Sequence, residues 1–186
     1  MPNARSFKGL IGLLGLLAAL ATSPPSQAGG VAAELRAGID VHNVDGSNGE
    51  DGFDAVTEIY FAAPTWRFQD PMLNHLFSPR PFTGFSVNSS GDTNELFAGV
   101  AWQLPLTERL FFESSFGGAV HDGPLDDPLD ASYGCRVNFR ESAGLGMKLS
   151  PNWRLLIGIN HMSNGNLCGR NRGLTNAGVR LGYVFD

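Results

Sequence analysis

The stretch Trp153-Arg154-Leu155-Leu156-Ile157-Gly158-Ile159-Asn160-His161-Met162-Ser163 decides the fold. Counted in twos, Leu155, Ile157, Ile159, His161 and Ser163 fall on one face. Arg154, Leu156, Gly158, Asn160 and Met162 fall on the other. Alternation with period 2 marks a β-strand with one apolar face. Here the apolar row ends in an imidazole and a hydroxyl, which stand on the same side of a strand about 7 Å apart along the backbone. Asn164-Gly165 is a turn signal. A second alternating run comes after it, with Thr175, Ala177, Val179, Leu181, Tyr183 and Phe185 set against Asn176, Gly178, Arg180 and Gly182.

Six earlier runs repeat the pattern: Glu34 to His42, Phe53 to Phe61, Thr83 to Asn88, Leu96 to Gln103, Leu110 to Val120 and Arg136 to Leu149. One row of each is apolar. The opposite rows collect Glu34, Arg36, Asp40, Glu58, Glu113, Arg140, Lys148 and Arg180 among glycines and serines. A soluble barrel would hide its apolar row and show the charges to water. Eight strands, however, enclose room only for side chains, and such an interior can hold paired charges while an apolar band faces lipid. Strands of about 10 residues match the span of a bilayer, and closure removes every sheet edge. The expected fold is therefore all-β: an eight-stranded antiparallel transmembrane β-barrel of the bacterial outer membrane. Its last strand ends in the aromatic Tyr183-Val184-Phe185.

The N-terminus reads as an export signal. Arg5 and Lys8 precede an apolar core, Leu10 to Ala21, and Ser26-Gln27-Ala28 is a small-x-small cleavage site. Residues 1–28 are the expected signal peptide and 29–186 the barrel domain. With both termini in the periplasm, the short links Leu104 to Arg109 and Ser150-Pro151-Asn152 are periplasmic. His161 and Ser163 then lie at the external end, on the lipid face. Residues 62–80 fit no strand and read as an interfacial segment. The net charge of -5 comes with no basic patch, which argues against nucleic acid. Cys135 and Cys168 lack the companions of a zinc site, so no metal and no cofactor is expected. As the two cysteines of an exported chain, both at the external end, they are expected to form one disulfide.

A serine hydroxyl becomes a nucleophile when a base takes its proton and a third group orients that base. His161 and Ser163 supply the first two. The turn at Pro151 pairs Leu149 with Trp153, which puts Glu141 opposite His161 with Cβ atoms roughly 5 Å apart. Glu141 is the lone acid in an apolar row, where an unpaired carboxylate is costly.

His161-Met162-Ser163-Asn164-Gly165, Asn171-Arg172-Gly173-Leu174 and the closing strand resemble the outer-membrane lipid A 3-O-deacylases (PagL-like, acyloxyacyl hydrolase family). The resemblance is firmest over residues 135–185. It implies a barrel esterase that hydrolyses the 3-position acyl ester of lipid A, the lipid anchor of lipopolysaccharide. In that reading Ser163 is the nucleophile, His161 the base, and Asn164 with Gly165 the oxyanion and positioning residues. The family's orienting Glu stands twelve residues after the Ser, a position that here holds Thr175. The expected third group is Glu141, reaching across from the neighbouring strand; the alternatives are Thr175 as a weaker orienting group, or an impaired enzyme. The competing reading is a small non-enzymatic outer-membrane barrel, structural or adhesive, working through its external loops Asn43 to Gly52 and His121 to Tyr133. Oligomeric state has no trace in the sequence.

Overall fold

The computed structural model describes residues 32–64, 68–126 and 131–185; the expected signal peptide lies outside them. Among the described residues, eight strands close into one antiparallel barrel, each paired with its sequence neighbours and the last with the first. They are β1 (Ala32–Val41), β2 (Phe53–Phe61), β3 (Arg80–Asn88), β4 (Glu95–Pro105), β5 (Leu110–His121), β6 (Val137–Lys148), β7 (Trp153–Ser163) and β8 (Leu174–Val184).

The alternation sorts as the sequence reading has it. Glu34 and Arg36 are 0% and 1% exposed inside, whereas Ile39 and Val137 are 58% and 65% exposed outside. An exterior belt of Ile, Val, Leu and Phe around a charged interior is the arrangement a bilayer demands. Arg36 donates to both carboxylate oxygens of Glu113 at 2.5 and 2.8 Å and to Glu34 at 2.7 Å. Arg140 pairs with Glu95 at 2.9 Å, and Arg180 forks onto Asp40 at 2.5 and 2.7 Å. Lys148, read as part of this interior row, is exposed instead, at the barrel end that carries the Pro151 turn.

Two regions differ from the alternation count. β3 begins at Arg80 rather than Thr83, because Phe82 turns inward to stack on Tyr60 at 5.1 Å while Arg80 reaches Glu34 at 2.7 Å. Pro81, with no N–H to give, sits next to the strand's first residue, where proline is tolerated. The segment before it contains a helix of about two turns, α1 (Pro71–Phe77), capped by the Asp70 side chain on the N–H groups of Met72 and Leu73. Asp-Pro is a helix-start signal.

Candidate active site

The end of β7 is held between two strands whose registers place its neighbours. Across β6, Glu141 lies opposite His161 and Phe139 opposite Ser163; across β8, Thr175 lies opposite His161. All of these face outward. The imidazole therefore has a carboxylate on one flank and a hydroxyl on the other. It bonds to the hydroxyl: His161 Nδ1 is 2.9 Å from Thr175 Oγ1. Among the described residues, no hydrogen bond or ion pair reaches the Glu141 carboxylate. Thr175, not Glu141, is thus the group that holds the ring.

Gly173 explains how the ring fits. A Cβ there would stand 2.3 Å from His161 Cε1 and 2.8 Å from Nε2, inside any allowed contact. Glycine lets the imidazole lie against the backbone there, and Nε2 is the nitrogen that Thr175 does not use. Ser163 lies on the same face two residues on and is half-buried. Among the described residues, no hydrogen bond joins its Oγ to His161. In unliganded hydrolases this bond is often long and tightens when substrate arrives.

The turn after Ser163 is tied from three sides. Asn164 is buried; its N–H donates to Asn171 Oδ1 at 2.7 Å, and its side-chain amide donates to the carbonyls of Tyr133 at 2.7 Å and Arg170 at 2.6 Å. Those bonds use every N–H hydrogen that Asn164 has. Gly165 follows with φ of 60°, a conformation glycine adopts freely, and no acceptor among the described residues meets its N–H. Cys135 and Cys168 are disulfide-bonded with Cα atoms 5.6 Å apart, joining the start of β6 to this turn.

A sequence model of the family described as lipid A 3-O-deacylase (PagL) matches residues 33–184. The chain belongs to this family. The crystal structure of the outer membrane enzyme PagL superposes with a TM-score of 0.61 at 15% identity, covering 81% of this chain and 99% of that one. Neisserial surface protein A gives 0.54 at 11% identity, covering 83% and 96%. A designed transmembrane β-barrel gives 0.53 at 14%, covering 86% and 98%. At these identities the likeness to solved structures is one of fold. No curated protein sequence matches the chain.

In this member of the PagL family the sequence reading left out three residues that build the site. Gly173 and Asn171 were noted only as parts of a motif; their work is to make room for the imidazole and to hold the Asn164 N–H. Asp45 was not singled out at all. Its Oδ2 accepts from Thr175 Oγ1 at 2.7 Å. Asp45 arrives on the loop after β1, which folds against the start of β8: Val44 N–H donates to the Thr175 carbonyl at 2.8 Å and Asn43 N–H to Asn176 Oδ1 at 2.9 Å. A glycine- and aspartate-rich loop carries no local sign of this. It follows only from the closure of the first strand onto the last.

Proposed function

We propose that the protein is a serine esterase of the bacterial outer membrane that removes the 3-position acyl chain of lipid A, with Ser163 as nucleophile and His161 as base. The observation that carries the reading is the hydrogen bond from His161 Nδ1 to Thr175. It occupies one ring nitrogen and leaves Nε2 for the Ser163 proton. Ester substrate comes sideways from the outer leaflet, because both side chains face lipid. Its acyl chain would lie along the exposed apolar row that includes Phe139 and Ile159.

Ser163 Oγ attacks the ester carbon while its proton passes to Nε2. The tetrahedral oxyanion is met by the unpaired N–H of Gly165. Asn164, with its hydrogens already taken, braces the turn rather than donating to the oxyanion. Collapse expels the sugar 3-hydroxyl, which takes the proton back from His161. Water, deprotonated by the same nitrogen, then frees Ser163 and releases the fatty acid.

Purified protein in detergent with lipid A tests this by release of 3-hydroxy fatty acid. Ser163→Ala and His161→Asn are expected to lose at least about 1,000-fold in rate, the scale of losing a triad member. Both should keep the heat-modifiable migration of a folded barrel. Activity at the parental rate in Ser163→Ala would remove the nucleophile assignment, whereas no release of fatty acid by the folded parent would favour the non-enzymatic reading.

A further inference from the structure

We infer that Asp45 is the orienting acid of this site, acting on His161 through the Thr175 hydroxyl. The inference rests on the serine-esterase reading above and supplies the charge which that reading lacks.

The argument is one of hydrogen counting. A Thr hydroxyl has one hydrogen to give, and an ionised carboxylate can only accept. Asp45 Oδ2 lies 2.7 Å from Thr175 Oγ1, so the Thr hydrogen points to Asp45. The same oxygen lies 2.9 Å from His161 Nδ1 and must therefore accept there, which makes Nδ1 the protonated nitrogen. Nε2 is left with its lone pair, as a general base for Ser163 requires. A Thr with no acid behind it would not choose: it could donate to Nδ1 as well as accept, and donation would put the proton on Nε2.

Asp45 is itself held in place. Its Oδ1 accepts from the Ser47 N–H at 3.0 Å, and Ser47 Oγ donates to the Gly173 carbonyl at 3.3 Å. Asn48 Nδ2 also donates to that carbonyl, at 3.2 Å, and to Tyr133 Oη at 2.9 Å. Partial burial pushes the Asp45 carboxyl up, but hydrogen bonds from Thr175 and Ser47 outweigh it and hold it below the usual range. The group is ionised at neutral pH. When His161 takes the Ser163 proton, Asp45 offsets the new charge across one hydroxyl. Asp45 is exposed, so water screens this attraction and it is weaker than that of a buried acid in direct contact.

The test is a set of purified variants assayed in detergent on lipid A for kcat, KM and the pH profile of kcat/KM, with heat-modifiable migration as the folding check. Asp45→Ala is expected to lower kcat about 10- to 100-fold, short of the roughly 10,000-fold of a directly bonded acid. KM should stay within about 3-fold. The acidic limb should move to lower pH, because an imidazolium without its acid gives up the proton more readily. Asp45→Glu should retain most of the rate. Thr175→Glu placed in the Asp45→Ala background should recover at least about 10-fold, since a carboxylate at 175 meets Nδ1 directly.

A parental kcat with an unmoved acidic limb in Asp45→Ala overturns the inference. So does a loss of rate that Thr175→Glu leaves unrepaired with the limb unmoved, which is the mark of a loop support alone. Ser163→Ala in the same assay separates the two levels. If it is active, the serine reading fails; if it is inactive while Asp45→Ala is unimpaired, only the Asp45 assignment fails.

Discussion

At the scale of single residues the site turns on which flank of His161 supplies its partner. Glu141 and Thr175 are both directly opposite it, one on each neighbouring strand. Register alone therefore does not choose between them, and ring orientation decides. Because Thr175 bonds both Nδ1 and Asp45, a change at 175 removes both the tautomer choice and the link to Asp45. Thr175→Val is expected to lower kcat at least about 30-fold, within the range for loss of an orienting group. Glu141→Gln should cost less than about 5-fold, with kcat of both variants measured on lipid A in detergent. The position of Glu141 was legible from the sequence because the short turn at Pro151 fixes the β6–β7 register, and a slip of one residue would have put it in the lumen. The link from Thr175 to Asp45 was not legible. Asp45 and Thr175 meet across a separation of 130 residues, where the barrel closes on itself, and no turn or spacing records that closure.

At the scale of elements, alternation identified all eight strands, and it did so because each is polar on one side and apolar on the other. It was silent wherever that contrast is missing. The segment holding α1 exposes Met72, Leu73, Leu76 and Phe77 together, a pattern with no period of 2 to detect. The β1–β2 loop, which delivers Asp45, was read only as an external loop of the non-enzymatic alternative. Its anchor is His42, just past β1, whose Nδ1 lies 2.9 Å from Asp54 and whose Nε2 lies 3.0 Å from Glu50. Two carboxylate acceptors require both nitrogens to donate, so the ring is an imidazolium. Burial pushes its pKa down, but the hydrogen bonds to Asp54 and Glu50 win and lift it from the ordinary 6.5 to about 9. A group raised in the folded state stabilises fully below its unfolded value and loses that contribution as pH rises through the folded one. The loop should therefore be firm up to about pH 6.5 and loosen progressively toward pH 9 and above. The midpoint of thermal unfolding in detergent, followed by heat-modifiable migration, is expected to fall across pH 7 to 10 in the parent. In His42→Gln it should be lower at pH 6 and nearly flat over that range.

At the scale of the whole molecule, the same inversion that puts apolar side chains toward lipid forces the charges to settle with one another inside. The half that carries the Pro151 turn shows how tight that balance is. Glu34 and Glu113 face Arg36, Arg80 and Arg154: Arg36 bonds to both acids, while Arg80 and Arg154 reach Glu34 at 2.7 and 3.4 Å. Glu113 also accepts from Gln103 at 2.6 Å and from Tyr60 Oη at 3.3 Å, so one carboxylate meets three side chains, Arg36, Gln103 and Tyr60. Removing it leaves three guanidinium groups on Glu34 alone, in a space with little water to compensate. Breaking one side of a buried pair typically costs about 3–5 kcal/mol, whereas replacing both partners by apolar residues of similar size is often close to neutral. Glu113→Leu is accordingly expected to destabilise the barrel by about 3 kcal/mol or more, and Arg36→Met/Glu113→Leu to recover most of that loss. Urea unfolding in lipid vesicles measures both. The site should be indifferent to the exchange, because Ser163, His161 and Thr175 stand on the outer face at the opposite end. Equal destabilisation of the single and double variants would mean that Glu113 is held by packing with Gln103 and Tyr60 rather than by the charge of Arg36.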